Sequence, residues 1–171
     1  IVLPDGRVVT TGGPDEDAPG YDLTGVIVGS EGTFGVVTKV WVRITRNPEA
    51  YRTLLGVFET VDDATNTISD LIGAGIIPAA LEMLDAPILV AIEAAFHFGF
   101  PLDAEAVLLI QVDGLEAGLD EQRHQIVELF KKCNAREGRL AEDAQKRNHL
   151  WEGRKQSFWA FGRLRPSYWT P

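Results

Sequence analysis

The sequence predicts an α+β protein in two parts, with residues 1–47 at the end of one domain and residues 48–171 in a second domain. After residue 50, strand-like and helix-like segments alternate, which is typical of helices packed against a sheet. Before it, β-branched runs are separated by glycine-rich turns, and Asn47-Pro48 interrupts the pattern. For the second part we expect a ferredoxin-like fold, with a mostly antiparallel sheet and helices on one face.

The first part combines a hairpin with a longer strand. Asp5-Gly6 separates the apolar runs 1–3 and 7–10, which is a strong hairpin signal. Residues 15–20 are acidic and proline-containing, so we expect an exposed loop there. Residues 36–44 place apolar side chains at every second position, and this alternation predicts a strand.

The second part contains predicted strands and helices in alternation. The predicted strands are 52–59, 78–84, 106–112 and a weak one at 138–141, and the predicted helices are 60–73, 88–95, 119–134 and 143–161. Thr60 and Asp63 have the spacing of a capping box, which marks the start of the first of these helices. The segment 106–112 is almost continuously apolar, so we expect it at the centre of the sheet.

The composition is that of an ordinary globular protein and excludes several classes of function. The chain has 171 residues, 45% of them hydrophobic and 24% charged, and a formal net charge of -9. This acidic balance argues against nucleic acid or an anionic membrane as the main partner. No apolar run approaches the roughly 20 residues of a membrane-spanning helix. The single cysteine, Cys133, and a start unlike a signal peptide favour a cytoplasmic location.

A glycine-rich loop is the most specific chemical feature of the sequence. Gly29, Gly32 and Gly35 recur at a constant spacing, and Ser30 and Thr33 add hydroxyl groups. Glycine permits close approach of the backbone, and backbone N–H groups in such loops can converge on an anion. The spacing is neither that of a P-loop nor that of the dinucleotide-binding fingerprint. The pattern leaves two alternatives open, an anion-binding loop and a structural turn.

The last predicted helix carries a second candidate site. Arg147, Trp151 and Arg154 have the spacing i, i+4, i+7 and therefore share one helix face. An arginine on that face offers a planar fork for a carboxylate. The alternative is a surface helix on which Arg147 stacks against Trp151.

Other polar residues of the sequence have more ordinary expected roles. The histidines at 97, 124 and 149 do not have a metal-ligand spacing, so we expect no metal site from them. Glu82, Asp85 and Glu93 are expected to face solvent or to cap helices.

The segments 20–25 and 29–38 closely resemble the signature of the FAD-linked oxidases of the vanillyl-alcohol oxidase type. The subgroup they resemble most contains glycolate oxidase FAD-binding subunits and D-lactate dehydrogenases. Residues 74–82 and the segment from Leu150-Trp151 to Arg154-Lys155 also look like this subgroup. The similarity extends over nearly the whole chain.

The resemblance implies an FAD-dependent 2-hydroxy-acid oxidoreductase that passes a hydride from the substrate α-carbon to the flavin. In this family the glycine loop contacts the FAD diphosphate, and the matching residues here are Gly29, Ser30, Glu31, Gly32, Thr33 and Gly35. The arginine that matches Arg154 would hold the carboxylate of a small 2-hydroxy acid. Glu16-Asp17 depart from the family pattern, in which a lysine is common before the Gly-Tyr-Asp segment.

The resemblance also implies that the chain is an internal fragment. Residues 1–47 match the C-terminal part of an FAD-binding domain, and residues 48–171 match the N-terminal part of a substrate-binding cap. The family's first FAD-binding motif would precede Ile1, and its histidine-rich catalytic segment would follow Pro171. We therefore expect no catalytic base in this chain, an inactive fragment, and apolar surface that favours association of copies. The alternative is a flavin-free α+β module for binding or subunit association.

Overall fold

The computed structural model describes residues 1–14 and 20–164. The chain divides into two compact units, Ile1–Asn47 and Pro48–Pro171. The described helices are α1 (Leu23–Ile27), α2 (Val61–Gly73), α3 (Ala86–Phe96), α4 (Glu116–Lys132), α5 (Ala144–Lys155) and α6 (Ser157–Leu164). The described strands are β1 (Ala50–Phe58), β2 (Ala80–Asp85), β3 (Ala106–Gly114) and β4 (Glu137–Leu140).

The strands of the second unit form one antiparallel sheet in the order β2-β3-β1-β4. The central pair is β1 with β3, from Ala50 opposite Gly114 to Phe58 opposite Ala106. The central place of β3 confirms the expectation from its apolar run. Together with α2 and α4, the strands follow the β-α-β-β-α-β order of the ferredoxin-like fold, and α3 is added between β2 and β3.

Helices cover both faces of this sheet. α2 and α4 pack on one face, where Phe130 of α4 lies against Phe58 of β1. α3 and α6 pack on the other face, on β1 and β3 side chains such as Leu55 and Leu109. The predicted placement of helices on one face therefore holds for α2 and α4 only. The second layer forms because Thr53–Phe58 are buried in succession, so both faces of β1 need a cover.

One predicted helix forms as two helices, and another begins at the predicted residue. The single helix predicted over 143–161 forms as α5 and α6, with Gln156 between them. In α4 the backbone is not helical at Ala117 and Gly118, where Gly118 has φ 105°. The regular part of α4 therefore begins at Leu119, which is the first residue of the helix predicted over 119–134.

The first unit contains the predicted hairpin but not the predicted long strand. Val2 bridges both Val8 and Val36, and the Leu3 amide donates to the Arg7 carbonyl over 2.9 Å. Of residues 36–44, Val36 alone forms a β-bridge to another described residue, and side chains such as Ile44 are exposed. A strand needs a neighbouring strand to pair with, and in the described part of this unit residues 37–44 form no β-bridge. Most of the acidic loop predicted at 15–20, including Glu16-Asp17, lies outside the described residues.

None of the helices in the described ranges is long and apolar enough to cross a membrane.

Candidate functional site

Helix α5 lies over the sheet, and the face that carries Arg147, Trp151 and Arg154 contacts the strands. The helix begins where the Asp143 carboxylate accepts a hydrogen bond from the Lys146 amide over 2.7 Å. Three side chains of one face then each contact a different strand. The pairs are Arg147 with Tyr51 of β1, Trp151 with Gln111 of β3, and Arg154 with Glu82 of β2. The helix thus crosses β1, β3 and β2 in turn, and these three strands are neighbours in the sheet in that order.

A shared hydrogen-bond acceptor anchors the middle of this helix. The Gln111 side-chain oxygen accepts from the Trp151 indole N–H and from the Thr53 hydroxyl, each over 2.9 Å. Thr53 is buried, so a polar contact at this place is needed to satisfy its hydroxyl. The indole is thus directed to the sheet, and Arg147 stacks on Tyr51, with 5.1 Å from its guanidinium carbon to the ring centroid. The stacking of Arg147 on Trp151 considered from the sequence does not form.

Among the described residues, Arg154 forms one ion pair, which leaves most of its N–H donors open. One terminal nitrogen lies 2.8 Å from a carboxylate oxygen of Glu82, and the arginine side chain is 42% exposed. A guanidinium has five N–H donors, so a single carboxylate contact does not use them all. An incoming carboxylate can therefore bind the free edge of this side chain. The role of Arg154 in substrate binding stays a prediction.

Glycine at position 153 sets the distance between α5 and its neighbours. Gly153 is buried, and a Cβ atom there would lie 2.5 Å from the Phe100 ring and 3.2 Å from the Phe98 ring. The sequence reasoning missed this residue and missed the Glu82 and Gln111 contacts. A glycine inside a helical pattern was the one available signal. Asp85 has the expected role, since its carboxylate caps α3. Glu93 differs from the expectation, because it is half-buried and accepts a hydrogen bond from the Phe100 amide in the loop after α3.

The glycine loop of the first unit is built from successive turns. Gly29 and Gly32 have φ of 80° and 81°, and Glu31 also has a positive φ, 50°. The Ser30 amide donates to the Ile27 carbonyl and the Thr33 amide to the Ser30 carbonyl, each over 3.0 Å. Glycine is suited to these positions because positive φ carries little steric cost without a Cβ atom. The loop is therefore a structural turn whatever it binds.

Gly35 is required by a close crossing of two backbones. A Cβ atom at this position would lie 2.4 Å from the Val2 carbonyl oxygen, which is far inside van der Waals contact. The crossing joins the loop to the hairpin, because the amides and carbonyls of Val2 and Val36 exchange hydrogen bonds. This packing explains Gly35 without reference to a ligand.

The loop fits an anionic group through its backbone more than through its hydroxyls. The amides of Glu31, Gly32 and Phe34 take no part in the turn hydrogen bonds among the described residues, and all three residues are exposed. The Thr33 hydroxyl instead donates to the Ser30 carbonyl over 2.7 Å, so its proton is used inside the loop. Exposed amides of this kind suit a diphosphate.

A shallow polar cleft lies beside the start of α5. Its volume is about 440 Å³, and its lining includes Tyr51, Thr53, Ala141 and Arg147. Within the described ranges, no group of three or more His, Cys, Asp or Glu side chains could hold a metal ion.

Comparison with known proteins identifies relatives over nearly the whole chain. The family model for FAD linked oxidases, C-terminal domain, matches residues 47–171. Glycolate oxidase subunit GlcD of Escherichia coli (strain K12) is 41% identical over 165 residues, which are 96% of this chain and 33% of that protein. GlcD of Bacillus subtilis (strain 168) is 41% identical over 168 residues, which are 98% of this chain and 36% of that protein.

A more distant relative and a solved structure extend this comparison. The mitochondrial D-lactate dehydrogenase (cytochrome) of Arabidopsis thaliana is 33% identical over 98% of this chain and 30% of its own length. The chain thus spans about a third of the length of the curated relatives it matches. A structure of alkyldihydroxyacetonephosphate synthase matches with a TM-score of 0.64 at 18% identity, over 95% of this chain and 33% of that one. This likeness is one of fold.

Proposed function

The chain belongs to the family of FAD linked oxidases, by the C-terminal-domain match over residues 47–171, and from this premise we propose that it is part of a flavin-dependent 2-hydroxy-acid oxidoreductase. The proposal is supported by 41% identity to two GlcD subunits and 33% identity to a D-lactate dehydrogenase. The observation that carries it is Arg154, a half-exposed arginine with open donors on the sheet face of α5.

The two units have separate parts in this proposal. Residues 1–47 form the end of an FAD-binding domain, and residues 48–171 form the first part of the substrate-binding cap. The exposed amides of Glu31, Gly32 and Phe34 donate to the FAD diphosphate, while Gly29 and Gly32 allow the backbone turns that expose them. Ser30, Thr33 and Gly35 shape the same loop. FAD bound there would supply the acceptor for the hydride of the substrate α-carbon.

Arg154 orients the substrate in this proposal. Its free N–H groups bind the carboxylate of a small 2-hydroxy acid of the glycolate or D-lactate type, and this fixes the direction of the α-carbon. The other partners are the remaining segments of the parent protein and, through exposed apolar side chains such as Trp41 and Ile44, further copies of the chain. We also propose that the protein is located in the cytoplasm.

Flavin reduction in the full-length protein tests the proposal directly. We expect the purified protein to carry FAD, and we expect glycolate or D-lactate to bleach its visible absorbance in the absence of oxygen. L-lactate, the enantiomer of D-lactate, is the matched control. A full-length protein without flavin would favour the alternative of a binding or subunit-association module.

Substitution of Arg154 tests the residue that carries the proposal. In the full-length protein, Arg154→Gln should lower kcat/KM by about 10- to 100-fold, because one charge-assisted contact to the substrate is lost. The control is Arg123→Gln, since Arg123 forms an ion pair with Asp120 on α4, which packs on the other sheet face. Equal kinetics in both variants would contradict a substrate role for Arg154.

A further inference from the structure

Glu82 lies where it can direct the arginine of the proposed site. We propose that Glu82 is a positioning residue, which holds the guanidinium of Arg154 with its free edge open to the substrate carboxylate. This inference rests on the proposed function and adds a residue to it. Glu82 does not contact the substrate in this proposal and acts through Arg154 only.

The strand fixes the place from which Glu82 acts. Glu82 pairs with Leu109 in the antiparallel ladder between β2 and β3. Side chains alternate along a strand, so Glu82 shares a sheet face with Leu84, which is 3% exposed in the core beneath α3 and α6. The buried leucine fixes the orientation of the strand, and the Glu82 side chain, 34% exposed, therefore points to α5 and not to open solvent.

The helix fixes the backbone of Arg154 independently of Glu82. One residue earlier, Gly153 packs against the Phe100 ring with no space for a Cβ atom. Three residues earlier, the Trp151 indole is bonded to Gln111. The Cα position of Arg154 is therefore set by packing, and what stays free is the long side chain with its many rotamers.

Glu82 restricts that remaining freedom. Within the described residues it is the one carboxylate that forms an ion pair with Arg154, over 2.8 Å. An ion pair at this exposure contributes little to stability, because solvent screens it, so a structural purpose is a weak explanation for it. The contact involves one terminal nitrogen, which leaves the rest of the fork available. Holding one edge orients the planar group and lowers the entropy lost when a ligand binds the other edge.

A competing role for Glu82 makes the opposite prediction. A carboxylate beside the arginine could instead occupy the place of the substrate carboxylate and have to be displaced. Removal of Glu82 would then tighten substrate binding. Removal of a positioning residue weakens it, so the sign of the change separates the two roles.

The test compares Glu82→Ala and Glu82→Gln with wild type in the full-length protein. We expect Glu82→Ala to raise the KM for glycolate or D-lactate about tenfold, with kcat changed by less than about threefold. Glu82→Gln should be intermediate, because its amide oxygen still accepts from a guanidinium N–H. The dissociation constant of oxalate, a carboxylate without an α-hydrogen, should rise in parallel when it is measured from the flavin spectrum.

The matched control is Glu128→Gln. Glu128 forms an ion pair of 2.7 Å with Lys131 on α4, so this variant loses a similar contact away from α5. We expect its KM and oxalate affinity to equal those of wild type. Unchanged or tighter binding in the Glu82 variants, with flavin still reduced by substrate, would overturn this inference alone. A wild-type flavin that no 2-hydroxy acid reduces would overturn the proposed function and this inference together.

Discussion

Gly153 positions the candidate site by having no side chain. Its Cα lies so near the Phe100 ring that a Cβ atom would approach to 2.5 Å. Phe100 is itself buried, so the ring has little room to move away. The glycine therefore allows α5 to pack closely against the loop at 98–100. This packing also fixes the backbone position of the adjacent Arg154.

We expect Gly153→Ala to lower the free energy of unfolding by about 1–3 kcal/mol, because the added methyl group overpacks a filled site. The control is Gly162→Ala in α6, where a Cβ atom would meet no other atom within 4 Å. There alanine should raise stability by about 0.5–1 kcal/mol through its higher helix propensity. Urea unfolding of both variants measures the difference, and equal effects would show that the close contact at Gly153 is relieved at no cost.

At the scale of the element, α5 depends on its first turn as well as on its contacts with the sheet. Asp143 satisfies an amide that has no partner within the helix, through its bond to Lys146 over 2.7 Å. The next anchor along the helix is Trp151 on Gln111. The cap and the anchor hold the two ends of the segment that presents Arg147, which stacks on Tyr51.

We expect Asp143→Ala to lower stability by about 0.5–2 kcal/mol and to speed amide hydrogen exchange in the first turn of α5. The control is Glu142→Ala, since Glu142 precedes the cap and forms only an exposed ion pair with Lys146. That variant should change stability by less than about 1 kcal/mol. Faster exchange in the control than in Asp143→Ala would contradict the assignment of Asp143 as the cap.

At the scale of the whole molecule, exposed ion pairs connect segments that are distant in sequence. Arg136 binds both oxygens of Asp103, over 2.8 and 2.9 Å, and also contacts Glu59. Hydrogen bonds from Arg136 lower the pKa of Asp103, and the bond from Lys132 lowers the pKa of Asp70 in the same way. A lowered carboxyl pKa contributes stability above the pKa of the unfolded chain, and this stability is lost as the pH falls through the folded value.

We therefore expect Arg136→Gln to destabilise the protein at neutral pH and to lose this effect in acid. The difference in unfolding free energy from wild type should shrink as the pH falls below the ordinary aspartate pKa of 3.8. Once Asp103 is protonated, it has no negative charge to attract the guanidinium of Arg136. Unfolding of both proteins across this pH range measures the difference. A difference that stays constant with pH would mean that Arg136 stabilises by packing and not by charge.

Local patterns in the sequence were sufficient to predict much of the second unit. The apolar run of β3 indicated a central strand, and Thr60 indeed caps α2, its hydroxyl accepting from the Asp63 amide over 3.1 Å. Such signals succeed because caps and buried strands are decided by residues close together in the chain. The strand predicted at 36–44 does not form in the described residues. Alternating apolar positions show that a segment can be a strand, but the neighbouring strand that it needs comes from elsewhere in the fold.

The sequence by itself determined the α+β class, the boundary near Asn47-Pro48, the family, and the shared helix face of Arg147, Trp151 and Arg154. Only the tertiary structure decided that helices cover both faces of the sheet and that Glu82 meets Arg154. Helical spacing states which side chains lie together on α5 but not what they touch. Their partners come from three different strands, and only the packing of the helix across the sheet brings those residues within hydrogen-bond distance.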